Sequence, residues 1–161
     1  MGTYIIKIEN DHYERDRDMC NLIAYIAGKG KNAGKEKAVS VRGRGISNHY
    51  RKAPEQMIKV QKLYGKDQKR RCYHMVVSFG AEMDDRNSVI LAADVIASMI
   101  FEEMHYQVFY GIHTSTDHLH IHFAINAVNY KSGKKWHQNH AETEEFKKQI
   151  RNRIRNVLDR G

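Results

Sequence analysis

Four of the ten histidines of this chain fall between His113 and His122, and their spacing is that of a metal-binding surface. The run Leu119 to Ile125 is rich in β-branched and aromatic residues and predicts a strand. Side chains alternate along a strand, so His118, His120 and His122 share one face while Leu119, Ile121 and Phe123 share the other. A second apolar run, Tyr106 to Ile112, leads into His113. If the two runs form a hairpin, His113 returns beside His120 and His122. Three neutral imidazoles would then converge as ligands for a divalent cation with positions left open for substrate. The plainer alternative is a His-rich exposed strand face or turn.

The elements that must carry these residues are legible in outline. Thr3 to Glu9 alternates as a short strand. Glu14 to Ala27 carries Met19, Leu22, Ile23 and Ile26 as a helical stripe, stopped by Gly28. Lys29 to Asn48 is rich in Gly and Lys, with a short strand expected at Val39 to Val41. Pro54, the single proline, suits the first turn of a helix that ends at Gly65. Cys72 to Phe79 predicts a strand, Asn87 to Met104 a long apolar helix, and Ala141 to Leu158 an amphipathic one, after a turn at Lys131 to Lys134. The irregular interleaving and the antiparallel hairpin point to an α+β fold rather than a doubly wound sheet.

Composition narrows the class. At 161 residues and 41% hydrophobic the chain suits one domain, 1–161, with one core. It has no stretch of about 18 apolar residues, as a membrane span needs, and Met1 to Ile6 lacks the pattern of a signal peptide. Cys20 and Cys72 stand far apart in unlike contexts, which favours a reducing compartment over a disulfide framework. Between Lys29 and Arg71 there are fourteen Lys and Arg against three acids, a local excess of eleven in a chain whose net charge is +8. Such a segment beside a metal site suits a polyanionic substrate; by itself it is equally a solvated surface.

At this point a resemblance becomes specific. His113, Asp117, His120, His122 and Asn126, followed by Gly133-Lys134-Lys135-Trp136-His137, resemble the third motif of plasmid and transposon relaxases. These are tyrosine endonucleases of the HUH superfamily, and the likeness is to the MOBP-like mobilisation group that includes relaxases of conjugative elements in Gram-positive bacteria. Tyr73 to Phe79 is similar to the second motif, and Gln56-Met57 with Lys62 to Lys66 resembles the helix before it. Leu22 to Lys31, a helix with Tyr25 near its end followed by a basic turn, matches the first. The resemblance covers about Asn21 to His137 and implies a sheet of about five antiparallel strands with helices packed on it.

The resemblance also implies roles. Tyr25 would be the nucleophile, with Tyr50 as the second choice. His113, His120 and His122 would hold Mg²⁺ or Mn²⁺, although imidazoles alone also favour Zn²⁺ or Ni²⁺. The group often carries an acid two residues after the first His, where this chain has Ser115; Asp117 would then orient a ligand imidazole. Lys29, Lys31, Arg42, Arg44 and Ser78 would meet DNA, and Trp136 with His137 would stack an unpaired base unless Trp136 belongs to the core. His74 is expected to be structural, His118 to face solvent or DNA, and Asn126 to fix a turn or the metal shell. The implied reaction is strand-specific nicking at an origin of transfer, leaving a 5′-phosphotyrosyl link and a free 3′-hydroxyl. Implied partners are single-stranded DNA with a hairpin, accessory DNA-binding proteins and a type IV secretion coupling protein, in the bacterial cytoplasm. The chain would be the N-terminal domain of a longer protein. Three other readings stay open: a replication-initiator or transposase nuclease of the same superfamily, a water-using metal-dependent hydrolase, and a DNA-binding module with a vestigial metal site. The tyrosine preceding the histidines favours the relaxase over the initiator.

Overall fold

The computed structural model describes residues 4–34 and 37–159; Thr3, where the first strand is expected to begin, and Glu36 of the basic segment lie outside the described residues. Five strands form one sheet: β1 (Tyr4–Ile8), β2 (Ala38–Arg44), β3 (Cys72–Phe79), β4 (Val108–His113) and β5 (His120–Asn126). Their order is β1-β3-β5-β4-β2, and every pairing is antiparallel. Four helices complete the α+β architecture: α1 (Asp16–Ile26), α2 (Ala53–Leu63), α3 (Arg86–Ser98) and α4 (His140–Leu158).

The two faces of the sheet differ. β5 sends Ile121, Phe123 and Ile125 toward α3 and α4, where they join Tyr110, Ile112, Met75, Val77, Ile96 and Ile100 in the larger core. α4 contributes Phe146, Ile150 and Ile154, spaced every four residues along one helical stripe. On the opposite face α1 lays Met19, Leu22, Ile23 and Ile26 over Phe109, Ala124 and Cys72, in a smaller cluster shared with Met57 of α2. Burying each large aliphatic or aromatic side chain stabilises by about 1.5–3 kcal/mol.

Local chemistry sets the helix ends. Pro54 occupies the first turn of α2. Asp85 caps α3 by accepting from the Asn87 and Ser88 amides, and Asn139 caps α4 by accepting from the Glu142 amide at 2.8 Å. The long helix expected to run to Met104 is regular only to Ser98 and continues as a π-helical turn, Met99–Glu103. β2 is longer than its expected core of Val39 to Val41 and contains a bulge between Val39 and Arg42.

Candidate active site

The hairpin register decides where the imidazoles meet. His113 of β4 lies directly opposite His120 of β5, and Gly111 lies opposite His122. On the other side of β5, Ser78 pairs with His120 and Val76 with His122. Paired residues share a face, so His113, His120, His122, Ser78 and His74 all point to the side covered by α1. The rings of His113 and His122 stand 4.1 Å apart, and those of His120 and His122 stand 6.1 Å apart edge to face. His113 and His122 are buried, whereas His120 is half-buried at the strand end.

The end of α1 reaches onto this cluster. Gly28, at φ 74°, closes the helix: its amide donates to the Tyr25 carbonyl and the Lys29 amide to the Ala24 carbonyl. His113 Nε2 then lies 3.1 Å from the Ile26 carbonyl, one of the acceptors a helix end leaves over. A proton on Nε2 makes that contact a hydrogen bond and leaves Nδ1 as the lone-pair nitrogen of the ring. The approach depends on Gly111, where a Cβ would sit 3.0 Å from the Ile26 carbonyl oxygen and 3.3 Å from Val41.

Tyr25 belongs to this last turn of α1. Its ring lies 5.0 Å from His113, 5.4 Å from His122 and 6.3 Å from His74, in each case edge to face. Lys29 and Lys31 line a cleft of about 200 Å³ with Tyr25, so two exposed cations flank the phenol.

His74 is bonded into the site rather than set apart from it. Its Nε2 lies 2.9 Å from Nδ1 of His122, and its Nδ1 lies 3.3 Å from the Tyr13 hydroxyl. Tyr13 is held at φ 53°, its amide donating to Asp11 at 2.8 Å. If His122 Nδ1 donates to His74, the other nitrogen of His122 is free of its proton and available as a ligand. Burial, followed by the neighbouring charges of His113, His74 and His120, holds the His122 imidazole down to about 2. Burial likewise brings His74 down to about 4, with Glu9 opposing and His113 adding to it. Both rings are therefore neutral at physiological pH, the state in which an imidazole binds a cation.

The donor chemistry of this face fits a divalent cation, because the His74 and His122 imidazoles are neutral and the His113 and His122 rings are each held through one nitrogen. The rotamers do not close on a point: among the described residues, no three His, Cys, Asp or Glu side chains are placed to hold an ion.

Other expected residues fall elsewhere. Asp117 is exposed in the loop between β4 and β5, and among the described residues no hydrogen bond or ion pair joins it to an imidazole. The contacts to His113 and His122 come instead from the Ile26 carbonyl and His74. Arg42 and Arg44 pair with Tyr110 and Val108, which puts them on the α3 side of the sheet, away from the imidazoles. Arg42 forms an ion pair with Asp94 at 3.2 Å. Trp136 is buried in the larger core, stacked on Tyr106 at 4.9 Å and edge-on to Phe146 at 4.9 Å, so the base-stacking role is corrected to a packing one. Asn126 is fully bonded, to Gln61, Gln107, the Met57 carbonyl and the Val128 amide, and fixes the turn after β5. Tyr50 stacks on His49 and accepts from Arg51, while Tyr130 donates to the Phe101 carbonyl. His118 lies outside the strand, with Nδ1 3.1 Å from the Phe79 carbonyl. The His74 partnership had a partial signal in the sequence, its even spacing from Ser78 along β3. Tyr13 had none, since it sits in a loop without periodicity.

The family model for relaxases, described as "MobA/VirD2-like, nuclease domain", matches residues 25–157. A solved structure described as "Molecular Basis of Vancomycin Resistance Transfer in Staphylococcus aureus" is similar in fold, with a TM-score of 0.69 over 98% of this chain and 93% of that one, at 14% identity. No curated protein matches. The family match begins at the tyrosine beside the imidazoles and runs through every strand that carries them, and the chain belongs to the MobA/VirD2-like relaxase nuclease family.

Proposed function

We propose that this domain nicks one strand of DNA at an origin of transfer, using Tyr25 as the nucleophile. The observation that carries this reading is the position of Tyr25, in the last turn of α1 with its ring 5.0 Å from His113 and 5.4 Å from His122. In the step, the Tyr25 oxygen bonds to phosphorus as the bond from phosphorus to the 3′-oxygen breaks. The phenol loses its proton and the departing 3′-oxygen gains one, giving a 5′-phosphotyrosyl link and a 3′-hydroxyl. Transesterification keeps the phosphodiester's bond energy, so the strand can be rejoined without another energy source. A free phenol has a pKa of about 10, so the surroundings must favour the phenolate. Lys29 and Lys31 supply positive charge at the cleft where the phosphate would lie.

His113, His120 and His122 would hold Mg²⁺ or Mn²⁺, which when bound polarises the phosphorus and stabilises developing negative charge. His74 and the Ile26 carbonyl would orient two of these imidazoles, and Ser78, opposite His120, would meet the strand backbone. A hairpin near the nick, an accessory DNA-binding protein and a secretion coupling protein belong to the same reading, as does a place in the bacterial cytoplasm. None of the helices among the described residues is long and apolar enough to cross a membrane.

The test is incubation with a labelled single-stranded oligonucleotide of the element's origin and Mn²⁺, followed by a denaturing gel. An SDS-resistant adduct lost with Tyr25→Phe and with EDTA is the expected result. Cleavage without adduct would make water the nucleophile, and an adduct persisting in Tyr25→Phe would move the role to Tyr50. A second reading, a DNA-binding module with a vestigial metal site, draws on the imidazole rotamers that do not close on an ion. It predicts tight binding with neither product.

A further inference from the structure

On the side of the molecule toward the start of β3, a cleft of about 730 Å³ opens between the loop before β3 and the entry to α4. Its charged lining comprises Lys66, Lys69, Arg70 and Lys135, with Glu14 as its one carboxylate among the described residues. No ion pair among the described residues joins Lys66, Lys69 or Lys135 to an acid. The Arg70 guanidinium lies 4.1 Å over the Tyr73 ring and donates to the Glu9 and Asp11 carbonyls, so it pins the loop between β1 and α1 along the rim. Gln138 and Asn139 also line the cleft, which places the amino end of the 19-residue α4 there, and that end carries the positive pole of the helix dipole.

The cleft and the imidazole face share that one loop. Tyr13 turns toward His74, whereas His12 and Glu14, its neighbours, turn into the cleft. Lys69 sits at φ 59°, a backbone conformation that a side chain adopts at some cost, in the turn that presents these cations. Burial, and then the like charges of Arg71, Lys66 and Lys69, hold the Lys135 ammonium below its ordinary value against the opposing charge of Asp67, while the ammonium donates to the Gln68 carbonyl.

We propose that this cleft is a second DNA-anchoring site, in which Lys66, Lys69 and Lys135 bind successive phosphates of the strand whose scissile phosphate lies at Tyr25. The inference rests on the reading of the domain as a DNA-nicking one for the identity of its ligand. The anchoring chemistry is sequence-independent: phosphates fix the strand's register, and the loop that borders both sites fixes the cleft relative to the imidazoles.

Fluorescence anisotropy with a labelled oligothymidylate, in EDTA so that no cleavage intervenes, measures the anchoring alone. Replacing Lys66, Lys69 and Lys135 together by Ala should weaken binding by tenfold or more at low salt. It should also reduce the slope of log affinity against log salt by about two, as expected for three lost single-strand phosphate contacts. The single Lys69→Glu change, at an exposed position, should weaken binding in the same direction in a protein whose thermal melting is unchanged. Wild-type affinity and slope in both variants would overturn the proposal. Equal competition by free thymidine monophosphate would also overturn it, by making the cleft a mononucleotide pocket. Adduct formation is scored separately. Anchoring lost in the variants while wild type forms no adduct sinks only the nicking reading, and adduct formed with anchoring unchanged sinks only this inference.

Discussion

The two faces of the sheet are built from the same strands and obey opposite rules. On the α3 and α4 side, the buried cluster is apolar, and Tyr110, which carries a hydroxyl, gives it to Asp94 at 2.7 Å. On the α1 side, the cluster of apolar residues is smaller and gives way at one end to His74, His113 and His122, all buried. Burying polar rings costs stability unless they are bonded. Here the bonds come from the end of a helix and from a neighbouring imidazole. The larger core can hold the sheet rigid while the smaller face accepts groups that serve binding rather than stability. The stabilising and reactive surfaces of this domain are thus separated by the alternation of single strands.

Substitutions on either side should separate accordingly. Tyr25→Phe keeps the ring and removes the oxygen, so adduct formation should fall by at least about a thousandfold, with the denaturation midpoint unchanged. A large loss of stability would instead make Tyr25 a member of the core. Phe123→Ala, on the other face, should cost about 3–5 kcal/mol by chemical denaturation; whatever molecules remain folded should nick at the wild-type rate.

Intermediate effects test the join between the faces. His74→Ala removes the partner of His122 and should lower Mn²⁺ affinity by about 10–100-fold, read by calorimetry. Tyr13→Phe should act in the same direction and more weakly. An unchanged affinity in His74→Ala would remove His74 from the site.

Between neutral pH and pH 4, acid should act chiefly on the imidazole face. In metal-free protein His74 and His122 are held below the ordinary histidine value, at about 4 and about 2. The unfolded chain therefore binds more protons than the folded one once the pH falls below about 6.5, and stability must fall with pH from there toward 4. For His74 the loss by pH 4 is on the order of 3 kcal/mol. Urea melts at pH 7, 5.5 and 4 should show it, and His74→Gln should flatten the profile. Gly111→Ala should have the smallest effect, about 1–3 kcal/mol. Its new Cβ presses on the Ile26 carbonyl, so the His113 contact and with it the nicking rate should suffer more than the melting point.

The reactive strand was legible from residue order alone. A two-residue period and a short hairpin are local properties, so His120 and His122 had to share a face and His113 had to come back beside them. The start of α2 and the end of α1 were similarly legible, because Pro54 and Gly28 act on their own few residues of backbone. Other features of the site depend on partners distant in sequence. The bulge in β2, with Ser40 at φ 51°, inserts one residue into the strand and turns Arg42 and Arg44 to the far face, bringing Val41 under α1. The aromatic neighbours of Trp136 and the Tyr13–His74–His122 chain join segments dozens of residues apart. A loop residue such as Tyr13 carries no periodicity, so only packing could place its hydroxyl beside an imidazole.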